Sequence, residues 1–221
     1  MDELIQLLDF FPYRIIDPEL NKYFIHQVEH VQSCYDNELY SSAFTHLHLV
    51  YMLFIYIQLN RITDQYENEY KFFCIGAAAL NGRFKKPSHP FEFSLINESS
   101  VFNVFKIIGF SDELIGELKK PVSLRNDSLH ANGKIHVSKE SAFLELVEQY
   151  NKCMSKIVKN LYTFIEQSYV QILSEIELDD DYTLSLDDIE AYFHEFSIYE
   201  LRILTKDKSD KYSQFITSQI T

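Results

Sequence analysis

Leu49-Val50-Tyr51-Met52-Leu53-Phe54-Ile55-Tyr56-Ile57 is the longest apolar run in the chain. Nine residues closed by Gln58 fall well short of the roughly 20 that a bilayer span needs. The run instead reads as the second half of a helix from about Asn37 to about Asn60, apolar around most of its circumference. A helix of that kind belongs at the centre of a bundle.

The flanks extend this pattern. N-terminal to the run, residues 1–11 read as a short amphipathic helix. Asp17-Pro18 then supplies a cap followed by proline at the first helical position, where its missing N–H costs nothing. The helix it opens, to about Tyr35, places Leu20, Phe24, Val28 and Val31 on one stripe. C-terminal to the run, Thr63-Asp64 starts a helix that closes at Asn81-Gly82, and the stretch from Gly82 to Phe93, with Pro87 and Pro90, reads as a loop. A short helix bearing Val101, Val104, Phe105 and Ile108 ends at Gly109, and Ser111-Asp112-Glu113 caps the next, which Pro121 interrupts. Residues 122–132 are helical again up to Gly133. From Ser138 to Ile176, Phe143, Val147, Tyr150, Met154, Ile157, Val158 and Leu161 keep helical spacing. An acidic loop from Leu178 to Ser185 leads to a last helix from Leu186 to Leu204, and the tail after Thr205 is expected to fray.

Composition agrees. The 221 residues include only five Gly and five Pro, few for a protein of sheets and tight turns. Cys34, Cys74 and Cys153 are odd in number and widely spaced, which argues against a disulfide framework or a zinc site and suits a reducing compartment. No basic leader precedes an apolar segment at the N-terminus, and a cytoplasmic location is expected. The fold class is therefore all-α: an antiparallel helical bundle over residues 1–177, followed by an acidic loop, helix and tail over 178–221.

The net charge of −13 is unevenly spread. Ten acidic residues and no Lys or Arg lie between Ser174 and Glu200, leaving 23 acidic against 20 basic elsewhere. The window from Glu117 to Lys139 carries +3. The body is thus nearly neutral with a mildly basic patch, and the acidic helix is expected either to dock a partner or to temper binding to that patch.

Within the patch lies Ser123-Leu124-Arg125-Asn126-Asp127-Ser128-Leu129-His130. Asn126 and His130, four apart, share a helical face, and the long side chain of Arg125 can fold over it. A permanent cation beside a titratable imidazole suits RNA cleavage. His130 can move a proton to or from the 2′- and 5′-oxygens while Arg125 stabilises the phosphorane charge and Asn126 orients the imidazole or a phosphate oxygen. Lys119, Lys120 and Lys134 are candidate phosphate contacts, with Arg83, Lys85 and Lys86 weaker ones. The bland alternative is a solvated arginine and a partly buried histidine near a helix end.

Arg125-Asn126-Asp127-Ser128-Leu129-His130 resembles the shortest form of the signature of the HEPN superfamily, in which four to six residues, the first often polar such as Asn, separate Arg from His. The resemblance covers about residues 37–176, although only these few positions are specific. It implies a helical bundle that pairs as a homodimer, two motifs meeting in one composite site. It also implies cleavage of single-stranded RNA without metal or cofactor, leaving a cyclic phosphate, in a toxin–antitoxin or phage-defence setting with a regulatory protein partner. A subset of the family carries Tyr two residues after the His; here that position is Asn132. A non-catalytic helical module binding a protein partner is the alternative.

Two further patterns are weaker. His26-Gln27-Val28-Glu29-His30 has the spacing of inverted zinc peptidases, which need an α/β fold and a third ligand, so these residues are expected on the outer face of their helix. Asp179, Asp181, Thr183, Ser185, Asp187 and Glu190 fall at calcium-loop positions, but Leu184 stands where a sharp turn wants Gly. His46 and His48, two apart, must point to opposite sides of one helix.

Overall fold

The computed structural model describes residues 2–76, 86–129, 137–176, 185–206, 208 and 211–220. The regular structure among these residues is all helical, with no strand; Pro12 and Ser197 form an isolated antiparallel bridge. The α-helices are α1 (Asp2–Leu8), α2 (Pro18–Asp36), α3 (Tyr40–Gln65), α4 (Glu67–Gly76), α5 (Glu98–Val101), α6 (Asp112–Leu118), α7 (Lys120–Leu129), α8 (Glu140–Asn160), α9 (Tyr162–Ile176), α10 (Leu186–Tyr192), α11 (Ile198–Thr205) and α12 (Lys211–Ile220). Turns of 3₁₀ helix cover Pro90–Leu95 and Phe102–Ile108. The chain divides into two compact units, one of residues 24–153 and one of residues 1–23 with 154–221, the divisions falling within α2 and α8.

In the first unit α3 is the core element. Its side chains are buried from Val50 through Leu59 without a break. By length and composition it is the one helix among the described residues apolar enough to cross a membrane, yet 78% of its most apolar window is covered by other parts of the protein. Burying a Leu, Ile or Phe side chain contributes about 1.5–3 kcal/mol, so this helix alone accounts for much of the unit's hydrophobic stabilisation. α3 runs through Thr63 to Gln65, five residues beyond the expected end, because Ile62 and Thr63 are buried and hold the extra turn; α4 begins only at Glu67.

Around α3, aromatic rings set the packing. Tyr51 meets Tyr150 of α8 edge-on at 5.0 Å and stacks near Phe102 at 6.2 Å, while Tyr56 stacks on Phe93 at 6.3 Å. Gly109 ends the 3₁₀ turn at φ +87°, a left-handed conformation natural to glycine, as the sequence indicates. In α2 the cap forms as expected, Asp17 accepting from the Leu20 N–H at 2.8 Å. The buried stripe, however, takes in Gln27 where Val28 is expected, and Val28 is only half-buried.

The other unit corrects two expectations. The helix expected over 186–204 is two helices, because Ser197 caps a new start with Glu200 answering in a capping box. The tail expected to fray is helical in α12, burying Tyr212, Ile216 and Ile220, with Ser213 hydrogen-bonded to Tyr169 at 3.0 Å. An apolar residue at every third or fourth place in Tyr212, Phe215, Ile216 and Ile220 is the reason. The expected single helix from Ser138 to Ile176 likewise breaks at Leu161 between α8 and α9. Residues 177–184, which hold Asp179, Asp181 and Thr183 of the calcium-loop pattern, lie outside the described residues. Ser185 beyond them caps α10 in a capping box with Asp188.

Candidate functional site

α7 begins at Lys120, with Pro121 in its first turn where no N–H is needed. Leu118, Pro121 and Val122 are buried, so the inner stripe of the helix next reaches Arg125. Its side chain is 21% exposed, turned inward toward Glu98, whereas Asn126, about 100° further round, is exposed. Tyr51 of α3 anchors the start of this helix by donating its hydroxyl to the Leu118 carbonyl at 3.0 Å.

Glu98 is the first residue of α5, presented by Asn97, whose side chain caps the helix by accepting from the Ser99 N–H at 3.0 Å. Oε2 of Glu98 receives two donors. One is the guanidinium of Arg125 in a close ion pair; the other is Nε2 of His48 at 3.3 Å. His48 itself is fully buried on α3, and its Nδ1 lies 3.0 Å from the Tyr150 hydroxyl. A carboxylate can only accept, so Nε2 of His48 carries the proton, and Nδ1 must accept from Tyr150. The result is a directed chain, Tyr150 to His48 to Glu98, whose terminal carboxylate also accepts from Arg125.

Electrostatics follow from that chain. Burial pushes the His48 pKa down, against the pull of Glu98, so the ring is neutral. The His48 hydrogen bond, and then the nearby charges, hold the Glu98 carboxyl below its ordinary range. Burial raises the Tyr150 hydroxyl well above its usual value, with Cys153 adding to the effect. Among the described residues Arg125 has one buried N–H, at Nε, without a partner. A guanidinium carries five N–H donors, more than the ion pair to Glu98 uses, and the unpartnered Nε is itself closed off from the surface.

The remaining expected site residues are placed unevenly. Lys119 is half-buried, donating to Asn103 at 3.2 Å, and burial followed by the charge of Lys106 lowers its pKa. Lys120 is exposed. Lys86 is tied to Asp64 at 2.6 Å. His130, Lys134, Arg83 and Lys85 lie outside the described residues. Glu98, His48 and Tyr150 were not anticipated as partners of Arg125. The one available signal was His48 itself, a polar residue inside a helix whose neighbours Leu47 and Val50 are apolar, since a buried imidazole demands partners.

Compared with known proteins, the chain matches no family model, no curated protein and no solved structure.

Proposed function

We propose that the chain is a HEPN-like, metal-independent endoribonuclease acting on single-stranded RNA. The observation that supports this reading most is the setting of Arg125. A cation in the right position of the Arg-Asn-x-x-x-His signature is held by a hydrogen-bonded chain, with one N–H still unpartnered. Fixing a guanidinium before substrate arrives is what electrostatic catalysis requires, because a preorganised donor needs no reorganisation as charge develops.

In this reading the 2′-hydroxyl of the nucleotide before the scissile bond attacks phosphorus, and the 5′-oxygen of the next nucleotide leaves. His130 shuttles the proton between those oxygens, and Arg125 binds the non-bridging oxygen that gains charge. Asn126, exposed beside it, supports the imidazole or a phosphate oxygen, and Lys119, Lys120 and Lys134 draw in the backbone. A second copy of the chain completes the site, as the resemblance implies, and a regulatory protein partner such as an antitoxin restrains it.

Glu98 favours a second reading on a specific ground: it already neutralises Arg125, as it would in a purely structural ion pair of a partner-binding module. The two readings separate in one assay. Single-stranded RNA is incubated in EDTA with wild type, Arg125→Ala and His130→Ala. Cleavage by wild type that both substitutions abolish supports the nuclease; equal cleavage by all three removes this site, and intact RNA with wild type leaves the module.

A further inference from the structure

His26, Gln27 and His30 on α2 face His46 on α3, away from the Arg125 site. The rings of His26 and His30 lie 4.0 Å apart, centre to centre, and those of His30 and His46 lie 4.9 Å apart. Their tautomers can be assigned by elimination. Nδ1 of His30 is 2.8 Å from the His26 carbonyl, which can only accept, so that nitrogen carries the proton. Nδ1 of His46 is 2.8 Å from Oε1 of the buried Gln27, also an acceptor, so it too is protonated. Both rings therefore keep a bare Nε2, the only atom that can take up the next proton.

We infer that these three imidazoles make the α2–α3 contact acid-sensitive, one proton being tolerated among them and a second loosening the pairing of the helices. Three features carry this. The rings pack closely enough that two imidazolium charges on His26 and His30, or on His30 and His46, would sit within 5 Å of one another. No carboxylate is ion-paired with any of them among the described residues. The ionisable groups within one turn on α2 are Lys22, of the same sign, the exposed Glu29, Tyr23 and Cys34, while the flanking Ser42, Thr45 and Leu49 of α3 do not ionise. In keeping with this, burial and then the charges of His30 and His26 lower the His46 pKa. A lowered histidine pKa means that the opened form binds protons more readily than the packed one. The contact is intact above the ordinary value of about 6.5 and weakens as pH falls below it. A metal ion is the other natural occupant of clustered imidazoles, but no group of three metal-binding side chains among the described residues converges to hold one.

The test is amide hydrogen exchange on the full chain in EDTA at pH 7.5 and 5.5, corrected for intrinsic rates. Exchange over residues 24–36 should lose protection at pH 5.5 relative to exchange over residues 143–153. In His30→Gln that loss should disappear. An NMR titration of wild type, independent of any variant, should show at least one of the three rings protonating below the ordinary value. Equal exchange at both pH values, the same loss of protection in His30→Gln, or three independent titrations at the ordinary value would each overturn the inference. So would restoration of protection at pH 5.5 by zinc chloride alone, which would make the cluster a metal site.

Discussion

At Oε2 of Glu98 two donors meet, and the consequences differ for each. Converting the carboxylate to an amide in Glu98→Gln leaves Arg125 largely buried without its counter-charge. Breaking a fully buried pair costs about 3–5 kcal/mol, and with Arg125 and Glu98 each about a quarter exposed, a loss of about 1–3 kcal/mol is expected in urea unfolding. His48→Phe should cost a similar amount, because Tyr150 and Glu98 each lose a partner. The pH dependence has two parts. The folded pKa of His48 is depressed, so its contribution to stability is complete above about 6.5 and declines as pH falls below that value. Glu98 is also depressed, so its contribution is complete above about 4.5 and is lost only as pH falls further. Unfolding free energy measured between pH 8 and 3 should therefore fall in two stages, and His48→Phe should flatten the upper one. A single acid transition unaltered by that substitution would mean that His48 does not carry the upper stage.

Helices were legible where one rule governed them and illegible where two competed. The Asp17 cap, the Gly109 stop and the apolar run of α3 each depend on local chemistry, and each forms as the sequence indicates. The boundaries that moved are tertiary in origin. α3 keeps a further turn because Ile62 and Thr63 find cover, and Ser197 splits one expected helix because its hydroxyl and Glu200 satisfy a new N-terminus. The tail is helical for the same reason: polar residues between Tyr212 and Ile220 interrupt an apolar stripe that needs a surface to bind. Ile216→Ala should accordingly destabilise by about 2–4 kcal/mol, as for a buried core residue. Ser197→Ala should cost about 1 kcal/mol for the lost cap. Chemical denaturation of each variant checks both, and a frayed tail would make the first substitution silent. The candidate site shows the same division. Arg125 and Asn126 could be named from spacing, whereas Glu98 and Tyr150, 27 residues before and 25 after Arg125, become its neighbours only through the packing of α5 and α8 against α3.

For the molecule as a whole, the proposed function asks an acidic chain to bind an acidic polymer, and the charge of this chain is unevenly spread. The basic patch lies at residues 117–139 and the acidity at 174–200. RNA affinity should fall steeply with salt, and Lys120→Ala, at an exposed position, should reduce that slope by about one phosphate contact, measured by fluorescence anisotropy across a salt series. An unchanged slope would remove Lys120 from the interface. The chemistry claimed for Arg125 and His130 leaves a signature that binding alone cannot mimic. The most direct measurement is the mass spectrum of fragments released from a single-stranded RNA oligonucleotide by the full chain in EDTA. Attack by the 2′-hydroxyl predicts fragments ending in a 2′,3′-cyclic phosphate, each paired with one that begins at a free 5′-hydroxyl. Intact oligonucleotide, or fragments with 3′-hydroxyl and 5′-phosphate ends, would contradict it.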